Sequence, residues 1–235
     1  MRKALLFDLD GTLISNSTET FLPPYFSALT KKLETLVPPE KLVQQLRAST
    51  MLMMQNNDPL KTNADVFSAD FFPKIGLARE QLMPILDDFY LQEYRDLVVY
   101  TKPVEGAREI VAKAFEMHFP VVIATAPVYP LTALQQRLQW GNLGDFQYNL
   151  ITDYESMHTC KPNPAYYLEI AKHLERSPDE CVMIGNEVQM DIVPARRAGM
   201  KTFWVTDAGG MPTDVPTDWR GTLEDFGELM ASGEL

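Results

Sequence analysis

Apolar residues along this chain follow two different patterns. Short, near-continuous runs occur at Ala4–Phe7, Val121–Ala124, Tyr148–Thr152, Cys181–Gly185 and Thr202–Val205. Runs of this length that do not alternate with polar residues predict strands of a parallel sheet covered on both faces. Helical spacing separates the later runs. Val104–Met117 places Ile110, Val111, Ala114 and Phe115 on one face. Pro164–Leu174 has Asn163 as N-cap and Pro164 at the first helical position, and Gln189–Ala198 stops at Gly199. Strands alternating with helices predict an α/β fold, a doubly wound, Rossmann-like parallel sheet that binds ligands beyond the carboxyl ends of its strands.

The interval between the first and second strands follows the other pattern. Leu22, Tyr25, Phe26, Leu29, Leu33 and Leu36 form one helical stripe, Leu42, Leu46 and Met53 a second, and Leu82, Ile85, Leu86, Phe89 and Leu97 a third. The Met51–Met54 cluster reads as interior of these helices. One helix suffices for a crossover between parallel strands, so the excess predicts an inserted, all-helical cap. The expected division is an α/β core over 1–14 and 101–235 and a cap over 15–100. The chain near Ile14–Thr18 and Asp96–Pro103 would form two hinge strands. After Asp207 the sequence is rich in Gly, Pro, Thr and Asp and reads as surface loop running into a short helix.

Composition narrows the partners. The 235 residues are 46% hydrophobic and 23% charged, which is ordinary for a soluble globular chain, and the formal net charge is -11. That charge argues against nucleic acid or an anionic membrane surface, because both require a basic face. A small phosphorylated substrate stays open, since one metal ion and one lysine reverse the sign of a pocket. The apolar run from Ala4 stops at Asp8, too soon for a signal or membrane-spanning segment. The two cysteines, Cys160 and Cys181, have neither metal-ligand spacing nor a disulfide framework, which fits a reducing, cytoplasmic setting. Nothing in the sequence fixes the oligomeric state.

The first strand delivers Asp8 and Asp10 onto a loop opened by Gly11. Carboxylates are costly to bury unpaired, so two at a strand end ask for a cation or a reaction, unless both are simply solvated in an Asp-Gly turn. The second strand runs into Thr125-Ala126-Pro127. A hydroxyl and an amide at a helix start suit a phosphate oxygen, although a threonine there also serves as a cap. Lys161, held between Cys160 and Pro162, is a candidate phosphate-binding point charge or a solvated lysine. The fourth strand ends in Gly185-Asn186-Glu187-Val188-Gln189-Met190-Asp191, a capped helix start or an acidic cluster. A doubly wound sheet would gather all these groups on one rim. Mutually repelling carboxylates there are best reconciled by a hard divalent cation, most simply Mg²⁺.

Asp8-Leu-Asp10-Gly11-Thr12-Leu13, Thr125, Lys161-Pro162 and Gly185 through Asp191 resemble, in order, the four motifs of the haloacid dehalogenase superfamily. The helical insertion resembles that family's first cap type. The resemblance runs from Ala4 to about Thr206 and implies a hydrolase. Specifically, it implies a Mg²⁺-dependent phosphatase acting on a small soluble phosphomonoester through an aspartyl-phosphate. In those terms Asp8 is the nucleophile and Asp10 the acid and base, with its carbonyl on the metal. Thr125 and Ala126 hold the phosphate, Lys161 offsets charge, and Asp191 completes the metal site. The family usually has aspartate where this chain has Asn186, so Asn186 or Glu187 is the remaining metal-ligand candidate. Dehalogenases of the family lack the second aspartate, which places a phosphatase ahead of them. A phosphomutase, or a catalytically weak binding protein keeping the fold, shares most of these features.

Overall fold

The computed structural model describes residues 2–206 and 216–235. The chain begins with β1 (Ala4–Phe7) and the short β2 (Ile14–Ser15). Four helices follow: α1 (Thr18–Leu33), α2 (Pro39–Met54), α3 (Asn63–Ile75) and α4 (Arg79–Leu91). A 3₁₀ segment, Glu93–Tyr100, leads to β3 (Lys102–Pro103). Then come α5 (Ala107–Glu116), β4 (Val121–Ile123), α6 (Leu131–Trp140), β5 (Leu150–Ile151), α7 (Pro164–His173) and β6 (Cys181–Gly185). The chain closes with α8 (Val193–Arg197), β7 (Lys201–Val205), β8 (Trp219–Gly221) and α9 (Leu223–Ser232).

Six strands form one parallel sheet in the order β5-β4-β1-β6-β7-β8. From β1 the chain winds outward through β4 and β5, then returns to lay β6 on the other side of β1. That reversal opens a crevice at the carboxyl ends of β1 and β6, where doubly wound folds place their ligands. The central strands β1, β4 and β6 bury both faces, since successive side chains point opposite ways and every residue in them is buried. Leu5, Phe7, Val121, Ile123, Val182 and Ile184 pack against α5 and α9. Ala4, Leu6, Val122, Cys181 and Met183 pack against α7 and α8. The ring of Phe7 meets Phe226 edge-on at 5.6 Å, tying β1 to the last helix.

A helical insertion between β2 and β3 has a third apolar cluster of its own, including Phe21, Tyr25, Leu33, Phe71, Phe89 and Tyr94. The antiparallel pair β2–β3, with Ile14 opposite Pro103 and Ser15 opposite Lys102, joins it to the sheet. Ser17 starts α1 with a capping box to Thr20, and Thr62 does the same for α3 with Asp65. Among the described residues no helix is long and apolar enough to cross a membrane.

Several expectations need correction. β5 covers two residues rather than the run Tyr148–Thr152, and as an edge strand it has a pairing partner on one side only. The Met51–Met54 cluster is not interior throughout: Met53 is buried, while Met51 is 62% exposed. The first stripe omits Phe21, which is buried, and includes Leu36, which is exposed. The expected loop after Asp207 lies outside the described residues as far as Val215, and the chain beyond it forms a sixth strand, β8, before the expected helix. The helix expected over Gln189–Ala198 opens with a wide turn at Val188–Ile192, in which Val193 N–H donates to the Val188 carbonyl five residues back. Pro194 has no N–H for the Met190 carbonyl, which accepts instead from the Tyr167 hydroxyl.

Candidate active site

β1 ends at Phe7, and Asp8 continues its direction with its N–H donated to the Ile184 carbonyl of β6. The chain then wraps around the Leu9 carbonyl, which accepts from the N–H groups of Thr12, Leu13 and Ile14. Gly11 sits at φ +82°, where a side chain is strained. A Cβ there would lie 2.6 Å from Asn186 Nδ2. Gly11→Ala is therefore expected to lower stability by about 1–2 kcal/mol from backbone strain alone. Chemical denaturation of the purified variant measures this, and an unchanged midpoint would contradict it.

Lys161 arrives from the β5–α7 loop, rests at 1% exposure, and donates to Asp8 Oδ1 at 2.8 Å and to Asp191 Oδ1 at 2.6 Å. Burial opposes the charge on Lys161, but Asp191 and Asp8 together outweigh it and hold the ammonium well above its usual range. Asp191 comes from the wide turn after β6. Its second oxygen accepts from Glu187 N–H at 3.0 Å, and burial raises its carboxyl against the pull of Lys161. Gly185 leaves the space Asp191 occupies, since any Cβ on it would overlap that carboxyl. Two carboxylates and one ammonium thus share the crevice between β1 and β6.

The other expected residues are placed as follows. Thr125 is buried just beyond β4, its carbonyl accepting from the Thr152 and Tyr166 hydroxyls at 2.7 and 2.8 Å. Ala126 follows it at the same rim, half-buried. Asn186 Oδ1 accepts from Thr12 Oγ1 at 3.1 Å, which fixes the amide against the loop carrying Asp10. Glu187 is exposed, and its main-chain N–H rather than its side chain joins the cluster. Among the described residues no three His, Cys, Asp or Glu side chains form a ready-made metal cage.

Asp10 does not point at Lys161. Its Oδ1 accepts from an NH2 group of Arg137 on α6, an arginine absent from the sequence-derived site. Burial raises the Asp10 carboxyl, Arg137 pulls it down, and Asp8 pushes it up again, so the net displacement is upward. The signal for Arg137 lay in its spacing: it stands three residues after the buried Leu134 and next to the buried Leu138, where a solvated arginine does not belong. Cys160 lies in the interior beside Lys161, and burial pushes its thiol up to about 12, as befits a packing residue.

Residues 2–199 match the model of the haloacid dehalogenase-like hydrolases. The chain belongs to that family. As such a hydrolase it is 26% identical, over 92% of its length and 87% of the relative's, to an N-acetylmuramic acid 6-phosphate phosphatase of Pseudomonas aeruginosa. It is 23% identical to a phosphoglycolate phosphatase of Xylella fastidiosa, over 99% of this chain and 93% of that one. Its fold is similar to that of a HAD phosphatase from Thermococcus onnurineus, with a TM-score of 0.59 and 19% identity over 97% of both chains. The family match covers the helical insertion and four of the sheet's six strands, β1 and β6 among them, so the cluster around Lys161 belongs to a hydrolase whose relatives are phosphatases.

Proposed function

We propose that this hydrolase is a Mg²⁺-dependent phosphatase of a small soluble phosphomonoester, working through a phosphorylated Asp8. The observation that carries the reading is Lys161 Nζ lodged between Asp8 and Asp191 at the switch point of the sheet. A carboxylate whose Oδ1 is fixed by a buried ammonium keeps Oδ2 for attack on phosphorus, and it is held in place before substrate arrives. The same ammonium offsets charge on the transferring group, where phosphoryl transfer most requires it. Thr125 and the Ala126 N–H at the neighbouring strand end are the phosphate-oxygen donors. Asp10 gives its proton to the leaving oxygen as the P–O bond breaks, then takes one from the water that attacks the phospho-Asp8 phosphorus. An aspartate at this position favours phosphoryl transfer over dehalogenation, whose halide leaving group takes no proton.

The donor set is all oxygen, which suits Mg²⁺. Asp8, the Asp10 main-chain carbonyl and Asp191 would hold it, with Asn186 Oδ1 as an uncharged fourth donor and Glu187 as the alternative. Mg²⁺ keeps several waters and accepts substrate phosphate oxygens, so a closed cage of carboxylates is not required. When bound, the ion neutralises phosphate charge beside Asp8. N-acetylmuramic acid 6-phosphate and phosphoglycolate, the substrates named for two relatives, belong with other sugar and short-acid phosphates in a first panel.

The test is phosphate release from such a panel across a Mg²⁺ titration. Turnover is expected only with metal, and Asp191→Ala is expected to raise the half-saturating Mg²⁺ by about 10-fold or more. Metal-independent turnover by the wild type would contradict the proposal.

A further inference from the structure

Arg137 projects from α6 into the seam between the sheet and the helical insertion, and its placement is specified on every side. It is only 3% exposed. Its guanidinium lies 4.9 Å from the ring centroid of Phe21 on α1 and 5.3 Å from that of Tyr129 in the loop after Thr125. It is thus stacked between one ring of the insertion and one ring of the sheet's rim. One NH2 group donates to Asp10 Oδ1, and Nε, though buried, has no hydrogen-bond partner among the described residues. Burying an arginine this deeply is costly unless it is paired, and its partner here is a single carboxylate oxygen. The contact is one-sided: Arg137 reaches Oδ1 alone, and the Asn16 side chain is the other polar group beside the carboxylate.

We infer that Arg137 is a positioning residue for Asp10, clamped by Phe21 and Tyr129 so that it fixes Oδ1 and aims Oδ2 at the leaving oxygen of the substrate. The inference rests on the reading of Asp10 as acid and base. In the first half-reaction the proton on Oδ2 passes to the leaving oxygen while the P–O bond breaks and the Asp8–phosphorus bond forms. The Asp10 carboxylate left behind is already paired with Arg137. In the second half-reaction Oδ2 takes a proton from the attacking water, and the Asp8–phosphorus bond breaks. Arg137 gains and loses no proton in either step. Because Phe21 belongs to the insertion and Tyr129 to the core, the acid is correctly aimed only when these two parts sit together.

Leaving-group dependence tests this, because a merely structural arginine would slow all substrates alike. The parameter is kcat/KM, which reports events up to departure of the leaving group. The probes are 4-nitrophenyl phosphate, whose phenolate leaves without a proton, and phenyl phosphate, whose leaving group is far more basic. Arg137→Gln is expected to lower kcat/KM for phenyl phosphate by about 100-fold and for 4-nitrophenyl phosphate by less than about 10-fold. Asp10→Asn is expected to show the same split, and the double variant to be no worse than Asp10→Asn alone. Arg137→Lys, which keeps the charge, is expected to recover part of the phenyl phosphate activity.

If Arg137→Gln does not fold, as judged by circular dichroism, Phe21→Leu and Tyr129→Leu are expected to reproduce the split at about 3- to 10-fold. Equal losses on both probes in Arg137→Gln or the clamp variants, beside a split in Asp10→Asn, would overturn the positioning role alone. Equal losses in Asp10→Asn would overturn the acid role of Asp10, and the proposal with it.

Discussion

Asp8→Asn is expected to reduce phosphatase turnover by at least about 10⁴-fold, because it removes the only group proposed to bond to phosphorus. The substitution changes little else. Asparagine has the same shape, the main-chain bond from residue 8 to the Ile184 carbonyl is kept, and Lys161 retains Asp191 at 2.6 Å. The variant should therefore fold, which circular dichroism and an unfolding midpoint within a few degrees of wild type would establish. Residual turnover within about 10-fold of wild type would mean that water attacks phosphorus directly and that Asp8 serves only as scaffold or metal ligand.

Lys161→Met is expected to have the largest effect on stability of any single substitution at the site. Methionine fills similar space but leaves Asp8 and Asp191 in the interior with no cation between them. Removing one partner of a buried ion pair costs about 3–5 kcal/mol, and here one ammonium serves two carboxylates. Burial already raises the Asp191 carboxyl, and without Lys161 only the Glu187 N–H opposes it. An acid whose folded pKa lies above its unfolded one is stabilising when protonated, and that contribution is lost as pH rises from the unfolded value through the folded one. The stability gap between wild type and Lys161→Met should thus be small near pH 4 and widen towards pH 8. Urea unfolding at several pH values measures it. A gap independent of pH would mean that the two carboxylates find other partners when Lys161 is gone.

Much of this molecule was legible in its sequence because its central strands are buried on both faces. Ala4–Phe7 and Cys181–Gly185 admit no polar residue, and a run that short and that apolar has few other homes. The helical insertion was visible because its stripes recur in an interval too long for one crossover. What escaped has common causes. β8 contains Arg220 and Gly221 and covers one edge of the sheet, so no apolar run marks it. Phe21 stands four residues before Tyr25 and lies on the same stripe as Tyr25, Leu29 and Leu33, and only the fold shows that it also reaches Trp140 and Arg137 across the seam. The wide turn before α8 follows from Pro194 and the Tyr167 hydroxyl, a tertiary contact between residues 23 apart in sequence.

The site divides along the same line. Asp8, Thr125, Asn186 and Asp191 follow strand ends, so any reading that finds the strands brings them to one rim. Lys161 required only a rigid loop beside them. Arg137 is different: it sits in the last turn of α6, its partner Asp10 is 127 residues away, and its clamp draws on both the insertion and the core. Pairing across that distance is set by how the two parts pack, which no local pattern encodes. Asn186 is a further case, since the sequence displays the missing carboxylate but not its consequence. In the folded chain its amide is held by Thr12 beside the Asp10 loop, while Glu187 faces solvent.

The most direct test of the central claim is to catch the phosphoryl group on Asp8. Wild-type protein turning over 4-nitrophenyl phosphate with Mg²⁺ would be quenched in acid and treated with borohydride, which reduces an acyl phosphate to an alcohol. Peptide mass spectrometry then reads residue 8. Homoserine at position 8, dependent on both substrate and metal and absent from Asp8→Asn, is the result this account predicts. Turnover at full rate with aspartate intact at position 8, or homoserine at another carboxylate, would contradict it.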